Sequence, residues 1–255
     1  MLWLVRSDGV LVSLTYDREQ QVRAWCRHEM GGEGAVESVA VVPDPDGIND
    51  DVYVAVRRTV NGATVRYVEW MRPPFRADLE AAADGFFVDC GLSYEGGPTN
   101  LVTGLDHLEG CDVAICADGA LRPTATVQGG YVTVPAPRAS VIHVGLPYTS
   151  RLKTLPAEVN VGNGSSAGMM KRIARAHVRL HESMGGRLGR DGAMEEMYFR
   201  TPFDAMGEAV PLFTGVKEVD FPAGPDTNGQ VIIETDAALP LTVLSVVTEV
   251  SVSGG

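Results

Sequence analysis

Asn61-Gly62 stands between two runs in which apolar and polar residues alternate, "DVYVAVRRTV" and "ATVRYVEWM". Period-two alternation sends successive side chains to opposite faces of an extended chain. Asn-Gly accepts the two positive φ angles of a tight hairpin turn at the least steric cost. Residues 51–71 therefore read as a β-hairpin, and the same texture fills most of the chain. "LWLVRSDGVLVSLTYD" gives two strands around Ser7-Asp8-Gly9, "QVRAWCRHEM" a third with Val22, Ala24 and Cys26 on one face, and "ESVAVVPD" a fourth. Residues 1–72 thus form about six antiparallel strands in succession, the layout of a propeller blade plus part of another.

At Arg72 the texture changes. "RPPFRADLEAAADG" has two prolines that stop the preceding strand and an Ala/Glu/Leu run of one or two helical turns, which makes it a linker. Short strands with Asp118-Gly119 and Gly129-Gly130 turns follow, at a spacing that suits a small β-barrel. The expected organisation is all-β with very little helix: a propeller-like segment and linker over 1–84, a small inserted barrel over 85–152, and a C-terminal β domain over 153–255. In that last part "KRIARAHVRLHES" fits both periods. Ala174, Ala176, Val178 and Leu180 alternate with Arg175, His177, Arg179 and His181, while Met169, Ile173, Ala176 and Leu180 also fit a helix; the unbroken alternation favours a strand from about Arg172, with at most a short helical turn at Ser165–Met170. "GQVIIETDAALPLTVLSVVTEVSV" reads as a hairpin linked by Thr235–Ala238.

A chain of 255 residues can bury a sizeable core. Its apolar runs are short, and none reaches the roughly 18 residues that would cross a bilayer as a helix, so no membrane insertion is expected. "MLWLVRSDG" shows no basic flank, apolar core and cleavage site of a leader, which makes the reducing cytosol the expected place of synthesis. Lys and Arg number 21 against 33 Asp and Glu, a formal charge of -12. That excess argues against holding a nucleic-acid backbone on a basic surface.

The densest collection of reactive side chains is "GLDHLEGCDVAICADG", with Asp106, His107, Cys111 and Cys116. On one strand the two cysteines, five apart, face opposite ways and cannot share a ligand sphere. Leu105 and Leu108 are expected to pack beneath a turn that Asp106 caps and whose unusual φ Gly110 supplies. The four cysteines, at 26, 90, 111 and 116, form neither CxxC nor a Cys/His zinc pattern. "GNGSSAG" lacks the Lys-Ser/Thr of a phosphate loop. "DPDGINDD" imitates part of a calcium loop with Asp44, Asp46 and Asp50 but has no bidentate Glu at the required distance. The Arg175, His177, Arg179, His181 row could meet an acidic partner or a metal, and otherwise is a solvated or intersubunit face. Asp84, Asp89, Glu182 and Glu195 are scattered, with no pair to select as acid and base. No catalytic, cofactor-binding or metal site is expected, and the chain reads as a non-enzyme.

The stretches "LWLVRSDGVLVSLTYDREQQVRAWCRH", "ESVAVVP", "DDVYVAVRRTVNGATVRYVEWM", "DCGLSYEGGPTNLVTGLDHLEGCDVAICADGA" and "HVGLPYTSRLKTLP" resemble the C-terminal part of tail nozzle proteins of short-tailed bacteriophages, related to tail tubular protein B. The middle portion is also similar to the small β-barrel called the FCCH domain in ubiquitin-activating enzymes, without their adenylating machinery. The resemblance implies a ring, expected to be hexameric, at the distal end of a virion tail, contacting other tail proteins. Duplex DNA passes through its channel without being held tightly. Nozzle proteins of this type carry further strands upstream, so the chain reads as a fragment, a separate prophage gene or a split homologue. The alternative is a carbohydrate-binding or adhesin-like module at the host surface. Its cue is a cluster of exposed aromatics, and along the sequence only Phe86-Phe87 are grouped.

Overall fold

A computed structural model of the chain describes residues 1–253 except 45, 46, 48, 49, 162, 163, 206 and 223. The fold is all-β: among the described residues, helix is confined to three single turns, Gly31–Glu33, Ala82–Asp84 and Asp106–Leu108. The chain divides into two compact units, Met1–Tyr148 and Thr149–Gly255.

The first unit opens with two three-stranded meanders. β1 (Leu2–Val5), β2 (Leu11–Asp17) and β3 (Val22–His28) form one sheet in that order. β4 (Ala35–Pro43), β5 (Asp50–Val60) and β6 (Ala63–Met71) form the other. At the turn between β5 and β6, Asn61 and Gly62 have φ of 47° and 75°, the left-handed pair that its sequence demands. One face of each meander joins a shared core. Trp3, Val5 and Leu11 of the first meet Val36, Val39, Val54, Val56 and Met71 of the second. The two sheets are therefore the layers of a thin sandwich, and among the described residues no fourth strand completes either as a propeller blade.

The linker holds a turn in which Leu79 and Glu80 both donate to the Arg76 carbonyl, then the Ala82–Asp84 turn. Next come β7 (Asp89–Thr99), β8 (Leu101–Thr103), β9 (Asp112–Ala117), β10 (Ala120–Thr126), β11 (Tyr131–Thr133) and β12 (Ala139–Leu146). The expected barrel is not closed. A four-stranded sheet runs β10-β9-β12-β7, and β8 and β11 make a separate two-stranded ribbon. The edge strand β10 carries Pro123, which offers no N–H, and its register with β9 slips between Arg122 and Ala125. Sheet and ribbon enclose the largest core of the unit, including Leu105, Leu108, Val113, Ile115, Val127, Ile142 and Val144.

In the second unit, β13 (Ser150–Lys153) leads to the two-residue pair β14 (Asn160–Val161) and β15 (Gly164–Ser165), then to the long β16 (Lys171–Ser183). β17 (Arg187–Arg190), β18 (Ala193–Glu196), β19 (Phe213–Asp220), β20 (Ile232–Thr235) and β21 (Thr242–Val252) follow. The ambiguous segment is a strand, as its alternation indicates, with one change. A bulge between Ile173 and Arg175 shifts the pattern, so Ile173 is buried with Ala176, Val178 and Leu180 while Ala174 is exposed.

The C-terminal hairpin does not form. β20 pairs with β13 and β17 in the sheet β13-β20-β17-β18, whereas β21 pairs with β16 in the sheet β19-β16-β21. β16 offers β21 a longer edge than the four residues of β20 could, and the link turns away through Pro240, whose carbonyl accepts the Met184 N–H at 2.7 Å. The inner faces of the two sheets share a core containing Ile173, Val178, Leu180, Leu188, Val219 and Ile233.

Candidate functional site

The Gly104–Gly119 stretch is a packed turn entering a core strand. Leu105 and Leu108 are fully buried, and Gly110 takes a φ of 76°. The cap is Glu109 rather than Asp106: its two carboxylate oxygens accept the Gly129 and Gly130 N–H groups at 2.9 Å each. Those bonds hold the Glu109 carboxyl below the usual carboxylate range. Cys111 lies just before β9, and Cys116 is buried within it, its thiol pushed up to about 11 by burial. His107 Nε2 lies 3.0 Å from the Cys90 carbonyl oxygen, and its own carbonyl accepts the Tyr67 hydroxyl at 2.8 Å. Among the described residues, no three His, Cys, Asp or Glu side chains converge as a metal would require.

The residue that organises the first unit is one that the strand pattern hides. Arg58 sits on the inner face of β5 with its side chain 1% exposed. Its Nε and Nη2 donate to the two oxygens of Glu69 at 2.7 Å each, a bidentate fork. Nη2 also donates to Asp89 Oδ2 at 2.9 Å, and Nη1 to the Gly31 carbonyl at 2.5 Å. Asp89 Oδ2 in turn accepts the Gly31 N–H at 2.6 Å. Gly34 leaves the room the guanidinium needs, since a Cβ there would stand 2.7 Å from Nη1.

One guanidinium thus serves two carboxylates, and the clip carries a net negative charge. Burial works against Arg58, but the Glu69 hydrogen bond and the charges of Asp89 and Glu69 outweigh it and hold the group above its ordinary value. Burial pushes Asp89 up, and the guanidinium it shares with Glu69 offsets that only in part. Burial beside Glu69 pushes the Cys90 thiol up to about 12. These groups fasten β5 and β6 to the start of β7.

The remaining candidates of the sequence separate as follows. Arg175 bonds Glu218 at 2.9 Å and Asp220 at 3.3 Å, His177 meets Glu249 at 3.1 Å, and His181 lies 3.4 Å from Glu182. On that outer face of β16, Arg172 and Arg179 have no acidic partner among the described residues. Asp84 caps its turn by accepting the Ala81 N–H at 2.9 Å. Glu195 is exposed on β18. Of "DPDGINDD", Asp46 lies outside the described residues, as do Gly162 and Asn163 of "GNGSSAG". The Gly47 N–H closes a turn on the Asp44 carbonyl at 2.8 Å.

Two open sheet faces were not legible along the chain. On the outer side of the first meander, register places Leu2 beside Leu14, Leu4 beside Val12, Trp25 beside Leu14 and Arg23 beside Tyr16. Leu2, Leu4, Tyr16 and Trp25 are exposed there, Trp25 by 60%. On the outer side of the second meander, Tyr53 pairs with Trp70 and Ala55 with Val68, flanked by Ala40 and Val42. Val68 is 78% exposed. The aromatics are therefore grouped after all, by strand pairing across the hairpins rather than by adjacency in the chain. No family model matches this chain, and no curated protein matches it.

Proposed function

We propose that the chain is a structural, non-enzymatic component of a short-tailed phage or prophage tail, acting by assembly with copies of itself into part of the nozzle ring through which DNA leaves. The observation that carries the assembly reading is the pair of uncovered apolar sheet faces on the first unit, since contiguous exposed apolar surface marks an interaction site. The edge strands β3 and β6 support it, each hydrogen-bonded to a neighbour on one side alone. The tail assignment rests on the sequence resemblance. In that reading the two meanders are blade-like and the open sheet with its ribbon corresponds to the FCCH-like barrel.

The test is the mass of the purified chain in solution, followed by imaging of any assembly. A closed ring supports the reading, and a stable monomer at high concentration overturns it. Carbohydrate binding at a host surface is the second reading, favoured by the exposed Tyr53–Trp70 pair. A glycan array that detects saturable binding lost on Trp70→Ala would select it.

A further inference from the structure

The two open faces lie on opposite sides of the N-terminal sandwich, because the inner faces of both meanders meet in one core. The first face centres on Leu2, Leu4, Leu14 and Trp25, and the edge strand beside them presents Arg23 and Arg27. Arg23 lies over the Tyr16 ring with its Cζ 5.8 Å from the centroid, and Arg27 bonds the exposed Glu29 at 3.1 Å. The second face centres on Val42, Tyr53, Val68 and Trp70. Its apolar end borders Asp51 near the start of β5, and Asp51 Oδ1 accepts the Trp70 indole N–H at 2.9 Å. At its other end, Glu37 lies between Arg57 and Arg66 and is satisfied within the chain.

We infer that these faces are the two halves of one heterologous contact: the Trp25 face of one copy covers the Val68 face of the next. The occupant is a second copy of this chain, because one chain supplies both an arginine-edged and an aspartate-edged apolar face of similar make-up. Stacking them removes both from water and sets opposite charges together at the rim. Faces on opposite sides of one unit repeat head to tail, and such a contact closes into a ring when the rotation per copy allows it and otherwise grows as a filament. The inference rests on the self-assembly proposed above and names the surfaces that perform it.

The experiment uses the full chain with Trp25→Asp in one preparation and Val68→Asp in another, with far-UV circular dichroism to verify that each keeps its β content. Both positions are exposed, so the fold does not depend on either side chain. Wild type should assemble beyond a dimer at micromolar concentration, and each variant should have single-chain mass. An equimolar mixture should form a one-to-one dimer and stop, because it contains one intact copy of each face in a usable pair. Assembly that persists in either variant, or a mixture that stays monomeric, overturns the paired-face inference while leaving self-assembly standing. A monomeric wild type overturns both.

Discussion

Arg58 and Asp89, thirty-one positions apart, meet at 2.9 Å inside the first unit, and the same guanidinium is already held by both oxygens of Glu69. Sharing one cation between two carboxylates makes the arginine indispensable and either acid partly dispensable. Arg58→Met should destabilise the first unit by about 3–5 kcal/mol, the cost of leaving buried carboxylates without their cation. Asp89→Asn should cost distinctly less, since an amide oxygen still accepts the Gly31 N–H and the surplus negative charge is gone. Urea denaturation of the two variants would measure the order, and a larger loss for Asp89→Asn would refute this account of the clip.

The same pair fixes a pH dependence. Asp89 is raised in the folded state, burial being the largest cause. Above its folded pKa the carboxylate is charged in both states, and its burial counts fully against the fold. As pH falls through that pKa the folded state takes up the proton first, so this contribution to stability rises until the unfolded chain is protonated too. Glu109, held low by the Gly129 and Gly130 N–H groups, acts with the opposite sign, its contribution being lost as pH falls through its folded pKa. Denaturation midpoints at neutral and mildly acidic pH should therefore differ between wild type and Asp89→Asn, the wild type gaining more on acidification. Parallel pH profiles would contradict it.

Thiol chemistry should follow burial. Cys26 is exposed on the edge strand β3, Cys111 is half-buried, and burial pushes Cys90 and Cys116 to about 12 and about 11. The thiolate is the reactive form. A colourimetric thiol reagent should find one fast cysteine in the native protein, absent from Cys26→Ser, with Cys90 and Cys116 reacting only on denaturation. Metal analysis of protein purified without chelator should find well under one equivalent of zinc or iron. Stoichiometric metal lost on His107→Ala would overturn the packed-turn description.

What the sequence reveals here is local. Turn chemistry located Asn61-Gly62 and Asp118-Gly119, where all four residues adopt positive φ, because those dihedrals depend on the residues themselves. Alternation identified β16 but missed its bulge, since one extra residue is set by pairing with β21. Strand partners are nonlocal, which is why the expected C-terminal hairpin is instead two strands in two sheets. Arg58 continues the alternation of β5 on its inward face, where a cation is unexpected. Its partners Gly31, Glu69 and Asp89 become neighbours only through the fold. The grouping of Tyr53 with Trp70 is likewise a fact of register, and so are the open faces.

The arginine and histidine row of β16 bears on DNA. Glu218, Asp220, Glu249 and Glu182 stand against Arg175, His177 and His181, leaving Arg172 and Arg179 as the cations without an acidic partner on that face among the described residues. Affinity for a duplex comes from neutralising several phosphates and releasing their counterions, and two available cations on that face of a chain of net charge -12 cannot supply it. Nor does the Asp226 loop offer a free carboxylate to repel DNA. Its Oδ1 accepts the Gly229 and Asn228 N–H groups at 2.5 and 2.7 Å, and its Oδ2 accepts Arg190 at 3.3 Å. The purified chain should therefore bind duplex DNA negligibly at physiological salt, where the Debye length is roughly 8 Å. Fluorescence anisotropy of a labelled duplex would measure it. Salt-sensitive binding near micromolar affinity, weakened by Arg179→Ala, would require the β16 ion pairs to open onto phosphate and would end the proposal of a channel wall that lets DNA slide.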